Sequence, residues 1–200
     1  MDYTTLQLVK DAMQSKETVQ DTVLQSFITR ASRYLDTLCT SQPNVVDYFK
    51  LEAVTDEILT NGVINFRGDL AVFPHKPVIT SVSSLSYRFS LRDGWTSGNT
   101  EWVSCEQTMA VFEGGLPSSE KIYVKLSYTG GLAADVPSLP QDFVDLATVM
   151  TIRLYKEARS GMGDSVGVAE LGKLVYTKAF PIRVLETLNI GNYMRIAPWI

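Results

Sequence analysis

Apolar residues recur at helical spacing near both ends of the chain and at strand spacing between them. Leu6, Val9 and Met13 share one face of a short helix over residues 5–14, behind threonines able to cap its first turn. Asp21 precedes a broader stripe. Val23, Leu24, Phe27, Ile28, Ala31, Tyr34, Leu35, Leu38 and Cys39 fall on one face, with Gln25, Arg30, Arg33 and Asp36 outside it, and Pro43 and Asn44 stop the helix at "TSQPN". The period returns after Pro140, with Phe143, Ala147, Met150, Leu154 and Ala158 on one face and Leu146, Val149 and Ile152 widening it. So wide an apolar arc suits a helix with neighbours on more than one side.

Helical spacing disappears after residue 45, and turn signals follow at short intervals: "TNG", "RGD", "RDG", "SGN" and "EGG". "ILTNGVINF" predicts a hairpin around Asn61-Gly62, because a two-residue type I′ turn needs positive φ at both central positions. "KPVITSVSSLSYRF" and "KIYVKLSY" alternate as half-buried strands do, the second with Ile122, Val124, Leu126 and Tyr128 on one side. Past the third helix, "RSGMGDSVG" brings three glycines together and predicts a poorly ordered loop over 160–172. A short strand at 174–176, a brief helix opening at Pro181 and the tail "NIGNYMRIAPWI" complete the pattern.

The 200 residues, 45% hydrophobic, suffice to bury roughly 70% of the surface of the unfolded chain, which fits one domain or one with an insertion. The formal net charge is −4, from 18 basic and 22 acidic residues, and neither sign forms a long run, which argues against a basic grip on nucleic acid. Cys39 and Cys105 are too few and too scattered for a disulfide framework or a zinc site, so both read as buried thiols in a reducing cytoplasm. No basic region followed by an apolar core opens the chain and no apolar run reaches 18 residues, so neither signal-peptide export nor a membrane partner is expected.

Candidate chemistry fails on spacing. Gly130-Gly131, between a strand and a helix, has the layout of a phosphate loop, but no lysine lies between Gly131 and Lys156 and the third glycine of a dinucleotide fingerprint is missing. The pair reads as a strand end, with prolines setting the start of the next helix. "GDSVG" at 163–167 matches G-x-S-x-G, yet it follows a helix and the single histidine, His75, precedes Ser165 rather than following it. His75, between Pro74 and Pro77, reads as a surface or rim residue; the pairs Asp56-Glu57 and Asp142 with Asp145 read as solvated faces or helix N-terminal charges, and "RGD" at 67–69 as a turn. No catalytic residue, metal site or cofactor is expected.

The order of these segments resembles the head-tail connector, or adaptor, proteins of tailed bacteriophages. "TTLQLVKDAM" and "VQDTVLQSFITRASRYLDTLC" are similar to that family's short helix and its long "LL..LI..A...ID..C" helix. "LAVFPHKPVITSVSSL" resembles its "L..P..PV..V.SV" strand pair, "VKLSYTGGLAADVPSLPQDFVDLATVMTIRLYKEAR" its "V.V.Y.AGY....VP.DL..A....A..LY..R", and "FPIRVLETL" its late "LP..V...L" helix. The chain departs from the family's shortest members over residues 86–120, which are longer and richer in turns.

The resemblance implies an α+β fold: a helical bundle from 1–45 and 130–188, a β-rich insertion at 46–129 and an extended C-terminal docking arm at 189–200. It implies a non-enzymatic homo-oligomer, a ring that is usually twelve-fold, lying under the portal protein in the virion neck between capsid and tail and assembled in the host cytoplasm. Such a ring extends the DNA channel, through which DNA passes without sequence-specific binding, and docks a stopper or tail-completion protein. A small α+β module that binds a peptide or ligand is the alternative.

Three surfaces are expected to serve such a ring. The turns of the insertion, with Arg67, Asp69, Arg92, Asp93, Trp95 and Trp102, combine charge with aromatic groups and suit a neighbour-facing surface, unless both tryptophans close the small β core. Asp164 and Glu170 would face the channel, with no basic residue between Arg159 and Lys173. Ile190, Tyr193, Met194, Arg195, Ile196, Trp199 and Ile200 would form the arm that meets the portal or an adjacent subunit, since Gly191 and Pro198 oppose a continuous helix there.

Overall fold

The computed structural model describes residues 1–16, 18–40, 45–60, 62–64, 67–106, 109–113, 122–159, 165–168, 172–175 and 188. The fold is α+β, and the described residues form three α-helices, two four-stranded antiparallel sheets and a separate two-stranded hairpin. The described residues fall into two compact units. One combines residues 1–47 with those from 135 onward, and the other is continuous over 48–134.

The first unit holds α1 (Leu6–Met13), α2 (Asp21–Thr40) and α3 (Gln141–Arg159). Thr5 caps α1, its hydroxyl accepting from the Leu8 N–H at 3.3 Å, and Gln14 closes it in the left-handed region at φ 54°. Val9 of α1, Leu24, Phe27 and Ile28 of α2 and Tyr155 of α3 form one core, with the Phe27 and Tyr155 rings edge to face at 6.0 Å. Tyr3, ahead of α1, packs edge to face on Phe143 of α3 at 5.3 Å.

The buried faces of α2 and α3 differ from those that hydrophobicity alone predicts. On α2 Val23 and Tyr34 are exposed while Ser32 and Asp36 are buried. Asp36 goes inside because its carboxylate is fully partnered. It accepts from the Tyr3 hydroxyl, from Arg33 Nη1 at 2.8 Å and from the Asp47 N–H at 3.0 Å. Arg33 Nη1 also reaches Asp47 Oδ1 at 2.7 Å, and the Met1 ammonium pairs with the same oxygen. Burial opposes ionisation of Asp47, but the ammonium and Arg33 outweigh it and hold that carboxyl below its ordinary value. On α3 Val149 is exposed, and Thr148 and Thr151 take up buried positions by donating to the carbonyls of Val144 and Ala147, each at 2.8 Å.

The second unit contains β1 (Glu52–Leu59), β2 (Val63–Ile64), β3 (Leu70–Val72), β4 (Ser81–Arg88), β5 (Thr96–Ser97), β6 (Val103–Glu106), β7 (Met109–Phe112) and β8 (Tyr123–Gly130). One sheet runs β1-β8-β4-β5 and the other β2-β3-β7-β6. Leu59, Leu85, Val124, Leu126 and Tyr128 from the first sheet meet Leu70, Val72, Ala110 and Phe112 from the second in one core. The hairpin read at Asn61-Gly62 does not form: β1 pairs with β8, and β2 pairs with β3 in the other sheet. β1 is the edge strand of its sheet, so its pairing with β8 leaves an edge open, and β2 goes instead to β3, whose residues Leu70, Ala71 and Val72 are all buried.

Bulges set the register. Val82 and Leu85 are three apart, an odd spacing that would put them on opposite faces of a regular strand. A shift between Val82 and Ser84 brings them opposite Tyr128 and Leu126 on the same face. A second shift, between Val54 and Glu57, does the same on β1, with Asp56 at φ 55°.

Gly130-Gly131 turns the chain by close approach. A Cβ on Gly131, at φ 119°, would lie 2.3 Å from the Lys50 carbonyl oxygen and 2.5 Å from Leu51 Cα. Its N–H donates to the Pro77 carbonyl at 2.7 Å, and the next N–H, of Leu132, donates to Phe49 at 2.7 Å.

Beyond α3, β9 (Ser165–Val168) pairs antiparallel with β10 (Gly172–Val175). The loop expectation is therefore corrected over these residues: the serine of "GDSVG" lies in a ladder strand, where backbone pairing outweighs the glycine content. Leu188 is fully buried; the rest of the segment opening at Pro181 lies outside the described residues. No helix among the described residues is long and apolar enough to cross a membrane.

Candidate interaction surface

Two side-chain clusters stand out on the β unit, one closed on itself and one open. The closed cluster joins the loop 73–79 to the first sheet. The bulge in β1 turns Glu57 inward, opposite Leu126, leaving its side chain 8% exposed. Glu57 Oε2 accepts from the Tyr128 hydroxyl at 2.6 Å, and Oε1 accepts from the His75 N–H at 3.0 Å and contacts His75 Nδ1. The Tyr128 oxygen accepts from the Lys76 N–H at 3.1 Å, and Lys76 Nζ pairs with Glu52 at 2.7 Å. Burial, and then the Glu57 charge, push the Tyr128 phenol well above its ordinary value. The His75 side chain is 60% exposed, as its flanking prolines imply. Its pairing with Glu57, and the burial of Glu57 itself, correct the reading of Asp56-Glu57 as a solvated face. The hydrogen bonds of this cluster are spent inside the protein, so it acts as a fastener.

The open cluster lies on the outer face of the same sheet and at its β4–β5 end. Register places Tyr123 opposite Arg88, and Lys125 between Ile58 and Ser86. The Arg88 guanidinium lies 4.3 Å from the Trp95 ring centre and 5.4 Å from that of Tyr123, while Lys125 Nζ lies 5.2 Å from Trp95. Lys125 is 3.8 Å from Asp56 Oδ1, an exposed pair of small energetic weight. Arg88 forms no ion pair among the described residues. Its Nε is buried without a hydrogen-bond partner, and Nη1 reaches only the Leu91 carbonyl at 3.4 Å.

The connection from Phe89 to Trp95 is shaped by local bonds. The Asp93 N–H donates to the Ser90 carbonyl at 3.1 Å and the Arg92 N–H to Ser90 Oγ at 3.2 Å. Tyr87 meets Phe89 edge to face at 5.8 Å. This turn holds out two large apolar groups, Phe89 at 45% and Leu91 at 66% exposure, beside exposed Arg92.

Of the residues expected at a neighbour-facing surface, Arg92, Asp93 and Trp95 share the β4–β5 connection, and the others lie elsewhere in the unit. Arg67 is exposed and Asp69 half-buried, both just ahead of β3 in the second sheet. Trp95 is half-buried under Arg88, and Trp102 packs against the β core. Reading the sequence missed Arg88, Phe89, Leu91, Tyr123 and Lys125, although "YRFSLRDGW" crowds arginines and aromatic groups into nine residues. Asp164 and Glu170 lie outside the described residues, as do Ile190, Tyr193, Met194, Arg195, Ile196, Trp199 and Ile200.

The two cysteines part company: Cys39 is buried, its thiol pushed up to about 12 by burial and by Asp36, whereas Cys105 on the edge strand β6 is exposed, against expectation. Among the described residues no group of three or more His, Cys, Asp or Glu could hold a metal ion.

No protein-family model matches the chain, and no curated protein matches it. Solved structures do. A chain from the neck of the empty gene transfer agent (GTA) particle, computed with C6 symmetry, has a TM-score of 0.52 over 98% of this chain and 92% of that chain, at 12% identity. A chain from the virion of the native GTA particle gives 0.51 over the same shares, also at 12% identity. At that identity the likeness is one of fold. The chain has the fold of a neck component of gene transfer agent particles, the same part of a particle to which its sequence resemblance to head-tail connectors points.

Proposed function

We propose that this protein is a structural subunit of the neck of a phage-type particle, a head-tail connector that assembles as a ring under the portal. The observation that carries the reading is the extent of the fold likeness, 98% of this chain and 92% of a neck chain, so both units of the protein are included. The sequence resemblance to connectors supports the same reading independently.

Sixfold symmetry in the neck of the related particle supports a closed ring as the assembled form, and twelve copies satisfy that symmetry as well as six do. A net charge of −4 without a basic run suits a conduit, because a protein that neutralised many phosphates would hold DNA rather than let it slide. In this reading the protein is not an enzyme. Asp164 and Glu170 face the channel, residues 189–200 form the arm that meets the portal or an adjacent subunit, and the opposite end of the ring docks the stopper or tail.

The test is to incubate the purified protein, intact and lacking residues 189–200, with portal-bearing heads. Intact protein should co-sediment with heads and add density at the portal vertex in negative stain, and the truncated protein should not. Equal attachment of the two would remove the arm from the account, and attachment of neither would remove the connector reading.

A further inference from the structure

We propose that the β4–β5 turn docks onto the outer stripe of α3 in a second copy of this chain. This rests on the ring reading above and deepens it by naming the surfaces that meet. The turn has the makings of an anchor. Phe89 and Leu91 are exposed at 45% and 66%, and local hydrogen bonds at Ser90 fix the shape that presents them, so little ordering entropy is lost on docking. Beside them Arg88 is held by stacking on Trp95 and Tyr123 rather than by a carboxylate, and Arg92 is exposed. An arginine positioned by rings, with no acidic partner among the described residues, is prepared to receive one from outside.

The chemistry that fits is an apolar spot with carboxylates along one side, and α3 carries it. Asp142, Asp145 and Val149 follow each other at i, i+3 and i+7 on its exposed side, with Val149 at 54% exposure. Other exposed apolar groups on the helices fit less well. Tyr34 lies one turn from Arg30, which has no ion pair among the described residues, whereas Arg153, one turn beyond Val149, is met by Glu157 at 2.7 Å; Leu8 has a single carboxylate one turn on, Asp11, with Lys10 beside it. Leu91 against Val149, with the two arginines toward the two aspartates, matches apolar to apolar and charge to charge. The contact joins different surfaces of the two copies, so its repetition generates a ring or a filament rather than a pair.

Directed cross-linking in the full chain tests this. In a Cys105→Ser background, Leu91→Cys and Val149→Cys proteins are prepared separately, mixed and oxidised, with Val19→Cys, at 92% exposure, as the accessible control. The expected product is a Leu91–Val149 dimer well above the Leu91–Val19 level, because disulfides form only where the backbones approach closely. Arg92→Glu should reduce it about tenfold, and Arg92→Glu mixed with Asp145→Arg should restore it. A Leu91–Val149 yield no higher than the control, or a charge swap that restores nothing, overturns the proposal. Native mass of the same samples keeps the two readings apart. Closed rings without this cross-link would refute the contact and leave the ring, and the cross-link in open chains alone would keep the contact and refute closure.

Discussion

Replacing Gly131 by alanine should damage the β unit far more than the same change at other glycines, for reasons that can be separated. Gly68 supplies the baseline. Its φ is 87° and an added Cβ meets nothing within 4 Å, so Gly68→Ala registers only the left-handed strain, about 1–2 kcal/mol, partly offset by a less flexible unfolded chain. At Gly130 an added Cβ would lie 2.9 Å from Lys76 Cβ, which moves only with its backbone, and 2.9 Å from Cε2 of the buried Tyr128 ring, an overpacking of about 2–3 kcal/mol without left-handed strain. At Gly131 the obstacles at 2.3 and 2.5 Å are backbone atoms of Lys50 and Leu51, and φ is 119°. Relief means pulling that backbone away, which strains the bonds from Gly131 to Pro77 and from Leu132 to Phe49. Backbone strain, overpacking and weakened hydrogen bonds together come to about 4–5 kcal/mol. Urea unfolding followed by tryptophan fluorescence reads this directly, since Trp95 and Trp102 both belong to the β unit. The midpoint should fall in the order Gly68→Ala, Gly130→Ala, Gly131→Ala with little change in slope. A Gly131→Ala protein no less stable than Gly68→Ala would refute the close-approach argument.

Breaking the Glu57–Tyr128 pair from either side should be costly. Glu57→Ala strands the Tyr128 hydroxyl and the His75 N–H, and Tyr128→Phe strands Glu57 Oε2 and the Lys76 N–H, each at about 2–4 kcal/mol in urea unfolding, and a cost below about 0.5 kcal/mol for either would count against the fastener. Tyr128 also fixes a sign at alkaline pH. Its folded-state value is raised, so its contribution is complete below about pH 10 and is lost as pH rises further and the unfolded chain ionises. Melting temperatures between pH 8 and 11 should fall less steeply in Tyr128→Phe. Thiol labelling at pH 8 should modify Cys105 rapidly and Cys39 only in denaturant; two fast thiols would contradict the buried Cys39.

The helices were the most legible part, because residues 6–13, 21–40 and 141–159 carry their 3.6-residue period over enough turns to override local noise. Which way each helix faces was less so. Asp36, Thr148 and Thr151 are buried because partners elsewhere in the fold or one turn back satisfy them, and periodicity counts a polar residue as outside. The inward set Val124, Leu126 and Tyr128 of β8, with Ile122 just ahead of it, was read correctly, since that strand is regular. Its neighbours were not, because the bulges in β1 and β4 break the alternation on which such a reading depends. The hairpin at Asn61-Gly62 failed for a different reason: turn propensity is local, whereas strand partners are chosen across the fold. Of the candidate surface, Trp95 was legible as an exposed-capable aromatic, but its place between Arg88 and Lys125 follows from cross-strand register.

The central claim, a structural subunit that closes into a ring, is tested most directly by native mass spectrometry of the purified full chain, alone and with portal. The account predicts one discrete assembly above the 22.2 kDa monomer, at a single copy number that stays fixed as protein concentration rises, with the portal present if not before. A monomer at every concentration with and without portal, or an unbounded ladder of sizes, would contradict it.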